Sequence, residues 1–198
     1  GLKLWLNLRQ KHAIHKSFNQ VPVPFDQHIT LEEHQKAARY NLAKLTENRY
    51  ELAYSALLVL IFTLGGGIDW IAQSFNLANY PLTSEVLLIV IYTLLNSLLA
   101  LPFSYYSTFK IEQRFGFNNT TLKLFIVDLI KGTLLGLVIG VPLLYLVMWL
   151  MNNLGNQWWL WVWGVLVVFN LLILIIYPTF IAPLFNKFTP LEDLELKA

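Results

Sequence analysis

The sequence predicts an all-α fold, a polytopic transmembrane helical bundle with about four complete spans and an N-terminal stub of an earlier one. Three observations predict it. Hydrophobic residues make up 56% of the 198 and charged residues only 13%, with a mean hydropathy of +0.53, whereas a soluble domain carries about a quarter charged residues. Uncharged apolar runs recur at or near the length that crosses a bilayer. The basic residues gather in alternate connections between those runs.

Composition also excludes chemistry. With no cysteine, disulfide scaffolds, thiolate zinc sites and thiol nucleophiles are ruled out. A net charge of +2 with dispersed basic residues gives no nucleic-acid signal.

Residues 1–8, with Leu2, Leu4, Trp5, Leu6 and Leu8, form the apolar stub. Residues 9–51 read as a cytoplasmic basic segment, interrupted by Val21-Pro-Val-Pro24, where each proline fixes its own φ and disfavours helix in the residue before it. Thr30 and Glu33 then have capping-box spacing, and Leu31, Ala38, Leu45 and Leu52 recur every seven residues with Leu42 alongside. This predicts an amphipathic helix whose stripe serves packing or membrane-surface contact.

The membrane domain covers residues 52–177. Its first span runs from Leu52 to Ile68 or Ala72, with Gly65-Gly-Gly67 permitting close approach or a bend near its outer end. The second apolar run, 86–101, is too short alone and extends from Thr83 through a kink at Pro102 toward Phe109. Within it Asn96 either bonds a neighbouring helix or lines a wet cavity. The third span is apolar from Gly132 to Met151, is kinked at Pro142, and carries Asp128 and Lys131 at i and i+3, placed to pair or snorkel. Its glycines at 132, 136 and 140 make a smooth stripe on which another helix can lie. The fourth span, Trp158 to Tyr177, has Asn170 as its one strongly polar side chain. After it, Pro178, Pro183 and Pro190 argue against one continuous helix and predict a jointed connector within residues 178–198.

Intramembrane polar groups need a partner or water, so Asn96, Asp128, Lys131 and Asn170 are the candidates for lining an aqueous space. No catalytic or metal-ligating set is visible: His12, His15, His28 and His34 all precede the first span, and no His-Glu-x-x-His occurs.

Two stretches carry a resemblance. Ile111-Glu-Gln-Arg-Phe-Gly-Phe-Asn-Asn-Thr-Thr121 and Ile176-Tyr-Pro-Thr-Phe-Ile-Ala-Pro-Leu-Phe-Asn-Lys-Phe-Thr-Pro-Leu191 are similar to signature segments of the integral-membrane zinc metalloproteases typified by the type I CaaX prenyl endopeptidase. Weaker similarity covers residues 39–52 and the order of spans. The residues that carry it are Phe115, Gly116, Phe117, Asn118 and Thr121, then Pro178, Pro183, Leu184, Phe185, Lys187, Phe188 and Pro190. The resemblance implies that this chain is the membrane region preceding a zinc protease domain, forming the wall of a water-filled chamber and anchoring that domain. It implies zinc in the parent protein, held by a downstream His-Glu-x-x-His and a later Glu, with no catalytic residue, metal ligand or bound zinc in the present chain. The partners implied are the lipid bilayer, the downstream protease domain and a protein or peptide substrate, prenylated or otherwise membrane-associated. A non-enzymatic helical module, part of a transporter or an assembly, fits composition and topology equally well; only the two signature stretches speak against it.

Of the 14 Lys and Arg residues, eight precede the first span, four surround the connection between spans two and three, and Lys187 and Lys197 follow span four. The positive-inside rule therefore places both chain ends in the cytoplasm, with Trp70, Trp149, Trp158 and Trp159 at the opposite interface. The short connections favour a bacterial inner membrane; in a eukaryote the endoplasmic reticulum is expected. The cysteine-free background makes the topology testable: Asn153→Cys should react with an impermeant maleimide from outside and Lys110→Cys from the cytoplasm, and the reverse pattern would invert it.

Overall fold

The computed structural model describes residues 1–22, 29–75 and 81–185. His28, Asn76, Asn79, Lys187, Phe188 and Pro190 lie outside them, as do Val23 and Pro24. Among the described residues every element is helical. They divide into two compact units, residues 1–122 and 123–198, taken in turn below.

In the first unit, α1 (Leu2–Ser17) crosses the boundary drawn at residue 8, so the apolar stub and the first basic residues share one helix. Asn7 is its buried residue and donates from Nδ2 to the carbonyl of Leu45 at 3.0 Å. That contact places α1 on the stripe of α2 (Leu31–Thr63), where Ala38 is also buried. The Thr30 capping box forms in full: Glu33 N–H donates to Thr30 Oγ1 at 3.3 Å, and Thr30 N–H to Glu33 Oε2 at 2.9 Å. The bond from Thr30 N–H, with a second from Thr30 Oγ1 to Glu33 Oε2 at 2.8 Å, favours the ionised form and holds the Glu33 carboxyl below its ordinary range.

The helix of the first span breaks before Ile68. α2 ends at Thr63, and α3 (Gly67–Ser74) leaves it at 58°. Of the two roles open to the glycine triplet, the bend is realised. Leu64 and Gly65 N–H groups both donate to the Leu60 carbonyl, ending the helix. Gly66 then takes φ +73°, which costs an L-residue with a side chain about 1–2 kcal/mol, and a Cβ on Gly67 would lie 2.9 Å from the Phe62 backbone.

α4 (Pro81–Tyr106) starts at a proline, tolerated in the first turn. It passes Pro102 without ending and continues through a π turn, Ser107–Glu112, into α5 (Gln113–Phe115). The helical run Leu82–Phe115 is 34 residues long, so the connection expected from Lys110 is helical over its first half. T-shaped contact of Phe62 with Tyr92, centroids 5.2 Å apart, ties α2 to α4.

In the second unit, α6 (Leu122–Asn153) also carries its proline, Pro142, inside one helix. Within this unit no described atom beyond α6's own nearby backbone comes within 4 Å of a Cβ built on Gly132, Gly136 or Gly140, so no other described helix of the unit lies close on the small-residue stripe. α7 (Trp158–Ile176) passes into a π turn, Tyr177–Ile181, and then α8 (Ala182–Phe185). The jointed connector expected at Pro178 and Pro183 is thus corrected: helix runs from Gly155 to Phe185, 31 residues. The reason is that a π turn relieves the clash of the proline ring with the carbonyl four residues back, an adjustment common in membrane helices. Thr179 Oγ1 adds a bond to the Ile175 carbonyl at 3.3 Å.

Among the described residues three helices are long and apolar enough to cross a membrane, four if the bent α2–α3 pair is one span. Gly66→Ala should lower stability by about 1–2 kcal/mol through its left-handed φ. Gly132→Ala, with space around it and an ordinary helical backbone, should gain up to about 1 kcal/mol. Thermal unfolding of the two variants in one detergent checks the contrast; equal shifts would contradict it.

Candidate functional site

The first signature stretch is held by the part of α2 that precedes its apolar run. Lys44 Nζ forms an ion pair with Glu112 Oε1 at 2.8 Å and also donates to Ser107 Oγ, so one cation clasps both ends of the π turn. Both partners of the ion pair are 30% exposed. Burial opposes the charge on Lys44, but the hydrogen bond and field of Glu112, with Tyr40 and Glu47 adding to them, lift its pKa above the ordinary lysine value. The adjacent cleft, about 410 Å³, includes Lys44, Glu47, Asn48, Glu51, Ser104 and Ser107. There burial pushes the Glu47 carboxyl up, against the lowering effects of Ser107 and Lys44.

One turn back on α2, Tyr40 receives the two phenylalanines of the signature edge-on: Phe115 at 5.5 Å and Phe117 at 4.9 Å between centroids. Lys36 Nζ lies 5.8 Å from the Phe117 centroid. Between the rings, Gly116 takes φ +81°, its N–H donating to Gln113 and that of Phe117 to Glu112. These are the two bonds of a Schellman C-cap, whose left-handed residue is best served by glycine. Asn118 Oδ1 then accepts from Thr120 N–H at 2.7 Å, closing an Asx turn ahead of α6. Phe-Gly-Phe-Asn is therefore a helix stop with its own anchors.

In the second unit, Lys131 does not pair with Asp128. Its Nζ donates to the Leu184 carbonyl at 2.9 Å, joining α6 to the second signature stretch, while a buried oxygen of Asp128, Oδ1, has no hydrogen-bond partner. Asn170 donates to the carbonyl four residues back in its own helix, Leu166, at 2.7 Å. Asn96, in the first unit, does the same to Tyr92 at 2.9 Å. The interhelical bond anticipated for Asn96 is absent among the described contacts.

Sequence reasoning missed Tyr40, Lys44, Ser107 and Glu112. Tyr40, Lys44 and Glu47 recur at i, i+4 and i+7 on α2, a polar and aromatic face beside the apolar stripe, and that spacing was the available signal. Among the described residues no group of three His, Asp or Glu side chains could hold a metal ion, so the residues described here do not fit a zinc site; the His34 ring sits 2.9 Å from the Ser17 carbonyl.

A family model described as the CAAX prenyl protease N-terminal region, five membrane helices, matches residues 10–187. The chain belongs to this family. It is similar to the CAAX prenyl protease 1 homolog of Dictyostelium discoideum, 37% identical over 95% of this chain and 45% of that protein. The human CAAX prenyl protease 1 homolog is 31% identical over 96% of this chain and 42% of its own length. The crystal structure of S. mikatae Ste24p superposes with a TM-score of 0.85 at 32% identity, covering 99% of this chain and 47% of that one. The chain thus spans a little under half the length of the relatives it matches and corresponds to their N-terminal, multi-pass membrane region.

Lys44→Met and Glu112→Gln should each destabilise, and their double-mutant cycle should give a coupling of about 1 kcal/mol, discounted from a buried pair because both ends meet solvent. With its pKa raised in the fold, Lys44 contributes fully below the ordinary lysine value of about 10.4, and the contribution is lost as pH rises through the folded value. Denaturation at pH 8 and pH 11 checks the sign: the coupling should shrink at pH 11.

Proposed function

We propose that this chain is the membrane portion of a zinc-dependent endopeptidase, walling the space through which a protein or peptide C-terminus reaches a protease domain that the parent protein carries. The observation that carries the proposal is the family match over residues 10–187, which includes the first signature stretch and most of the second. On this reading residues 9–51 lie in the cytoplasm, residues 52–177 form the membrane domain, and residues 178–198 lead into the protease domain, with residues 1–8 belonging to a preceding span. The alternation of basic connections supports that orientation. The membrane is the bacterial inner membrane or, in a eukaryote, the endoplasmic reticulum.

The chain's part in the reaction is mechanical and electrostatic. Long helices exclude lipid from the substrate path, and Asn96, Asp128, Lys131 and Asn170 each border water at membrane depth. The unsatisfied Asp128 oxygen supports this, because such a group is costly without water or a partner. The Lys131 to Leu184 bond ties the second signature stretch, where it leaves α7, back to α6. Zinc supplies a Lewis acid and an activated water in such enzymes; its ligands and general base belong to the part of the parent outside this chain. Substrates are prenylated proteins or other membrane-associated polypeptides.

The purified 198-residue chain should hold no stoichiometric zinc and cleave no prenylated peptide, while the parent protein should do both. Metal analysis together with a fluorogenic peptide assay on each checks this. A parent protein that binds zinc without cleaving, or an active isolated chain, would overturn the proposal.

A further inference from the structure

A second, larger cavity lies in the first unit, about 590 Å³, between α2 and the run from Pro102 to Phe115. Its wall is graded. Pro102 and Phe103 stand toward the apolar run of α4, while Tyr106, Lys110 and Arg114 follow at four-residue intervals and so share one helix face. Tyr50 and Glu47 face them from α2.

Two cations thus meet one carboxylate, and that carboxylate is engaged elsewhere, since Glu47 also borders the neighbouring cleft and interacts with Ser107 and Lys44. Lys110 and Arg114 are exposed and make no ion pair among the described residues; the Arg114 guanidinium lies 5.9 Å from the Phe115 ring centroid. Tyr50 and Tyr106 are 67% and 52% exposed, as phenols at a membrane surface are, with apolar ring and polar tip in different media. An apolar floor, an aromatic belt and a cationic rim in sequence along one helix match the anatomy of a lipid: acyl chain, glycerol, phosphate.

We propose that this cavity binds the headgroup of an anionic phospholipid, with Arg114 and Lys110 on the phosphate, Tyr106 and Tyr50 beside the glycerol, and the first acyl carbons over Phe103 and Pro102. Basic pockets between membrane helices select anionic headgroups in this way. Arg114 supplies the planar fork for two phosphate oxygens and Lys110 a point charge. The occupant is a lipid and not a soluble phosphate because half of the wall is apolar and opens beside a membrane-crossing helix.

The test uses the polypeptide that carries this chain, delipidated in detergent and titrated with dioleoylphosphatidylglycerol or dioleoylphosphatidylcholine, bound lipid being counted by native mass spectrometry. Phosphatidylglycerol should be retained over phosphatidylcholine. Each of Lys110→Gln and Arg114→Gln should weaken that retention about fivefold, while Lys123→Gln leaves it unchanged. Equal retention of both lipids by the unaltered protein would overturn the proposal without recourse to any variant. So would unchanged retention in the Lys110→Gln/Arg114→Gln protein, or full displacement of the lipid by millimolar glycerol phosphate, which would mark a soluble-phosphate site.

Discussion

A backbone in hydrocarbon has no water to bond, so its polar groups must be satisfied within helices or against neighbouring protein. That constraint shapes this chain more than any side chain does. It keeps helix running through Pro102 and Pro142, each of which removes one hydrogen bond. It also explains why the breaks are built rather than frayed. At Gly66 and Gly116 the freed carbonyls are taken up by capping bonds before the chain turns. The two π turns, Ser107–Glu112 and Tyr177–Ile181, are the third device, widening the helix where strict α geometry is under strain.

Each π turn stands where a signature stretch begins. The first is clasped by Lys44 at Ser107 and Glu112, and the second leads to Leu184, whose carbonyl Lys131 holds. A lysine reaching in from elsewhere in the same unit therefore fixes the exit of a membrane helix in both cases. The signature residues are the visible half of this arrangement: Phe115, Gly116, Phe117 and Asn118 stop a helix at a set angle, and Tyr40 and Lys44 receive it. On the proposed function, such exits set where substrate and protease domain meet the membrane.

Much of this was legible in the sequence. Hydropathy gave the spans, and Thr30 with Glu33 gave the start of α2, because both signals are local. The Gly65-Gly-Gly67 bend was one of two readings, and the choice depended on φ at Gly66, which composition does not specify. The proline connector failed over residues 178–185 for a physical reason: the π turn Tyr177–Ile181 makes room for the proline ring that strict α geometry would exclude, so the helix continues. The Lys44 to Glu112 pair, 68 residues apart, and the Lys131 to Leu184 bond, 53 apart, were beyond any local pattern. α1 was hidden by a change of composition at residue 8 that the helix ignores.

The candidate site was legible chiefly through resemblance. Asn96 and Asn170 stood out as polar groups at membrane depth, yet each spends its amide on its own helix, whereas Asp128 keeps an unsatisfied buried oxygen. The central claim, that these helices wall the path of a substrate, is tested most directly by photo-crosslinking. A prenylated peptide with a photoreactive group near its C-terminus, bound to the parent protein, should label residues of α4, α6 or α7 within one turn of Asn96, Asp128 or Asn170. Labelling confined to the polypeptide beyond residue 198 would contradict the account.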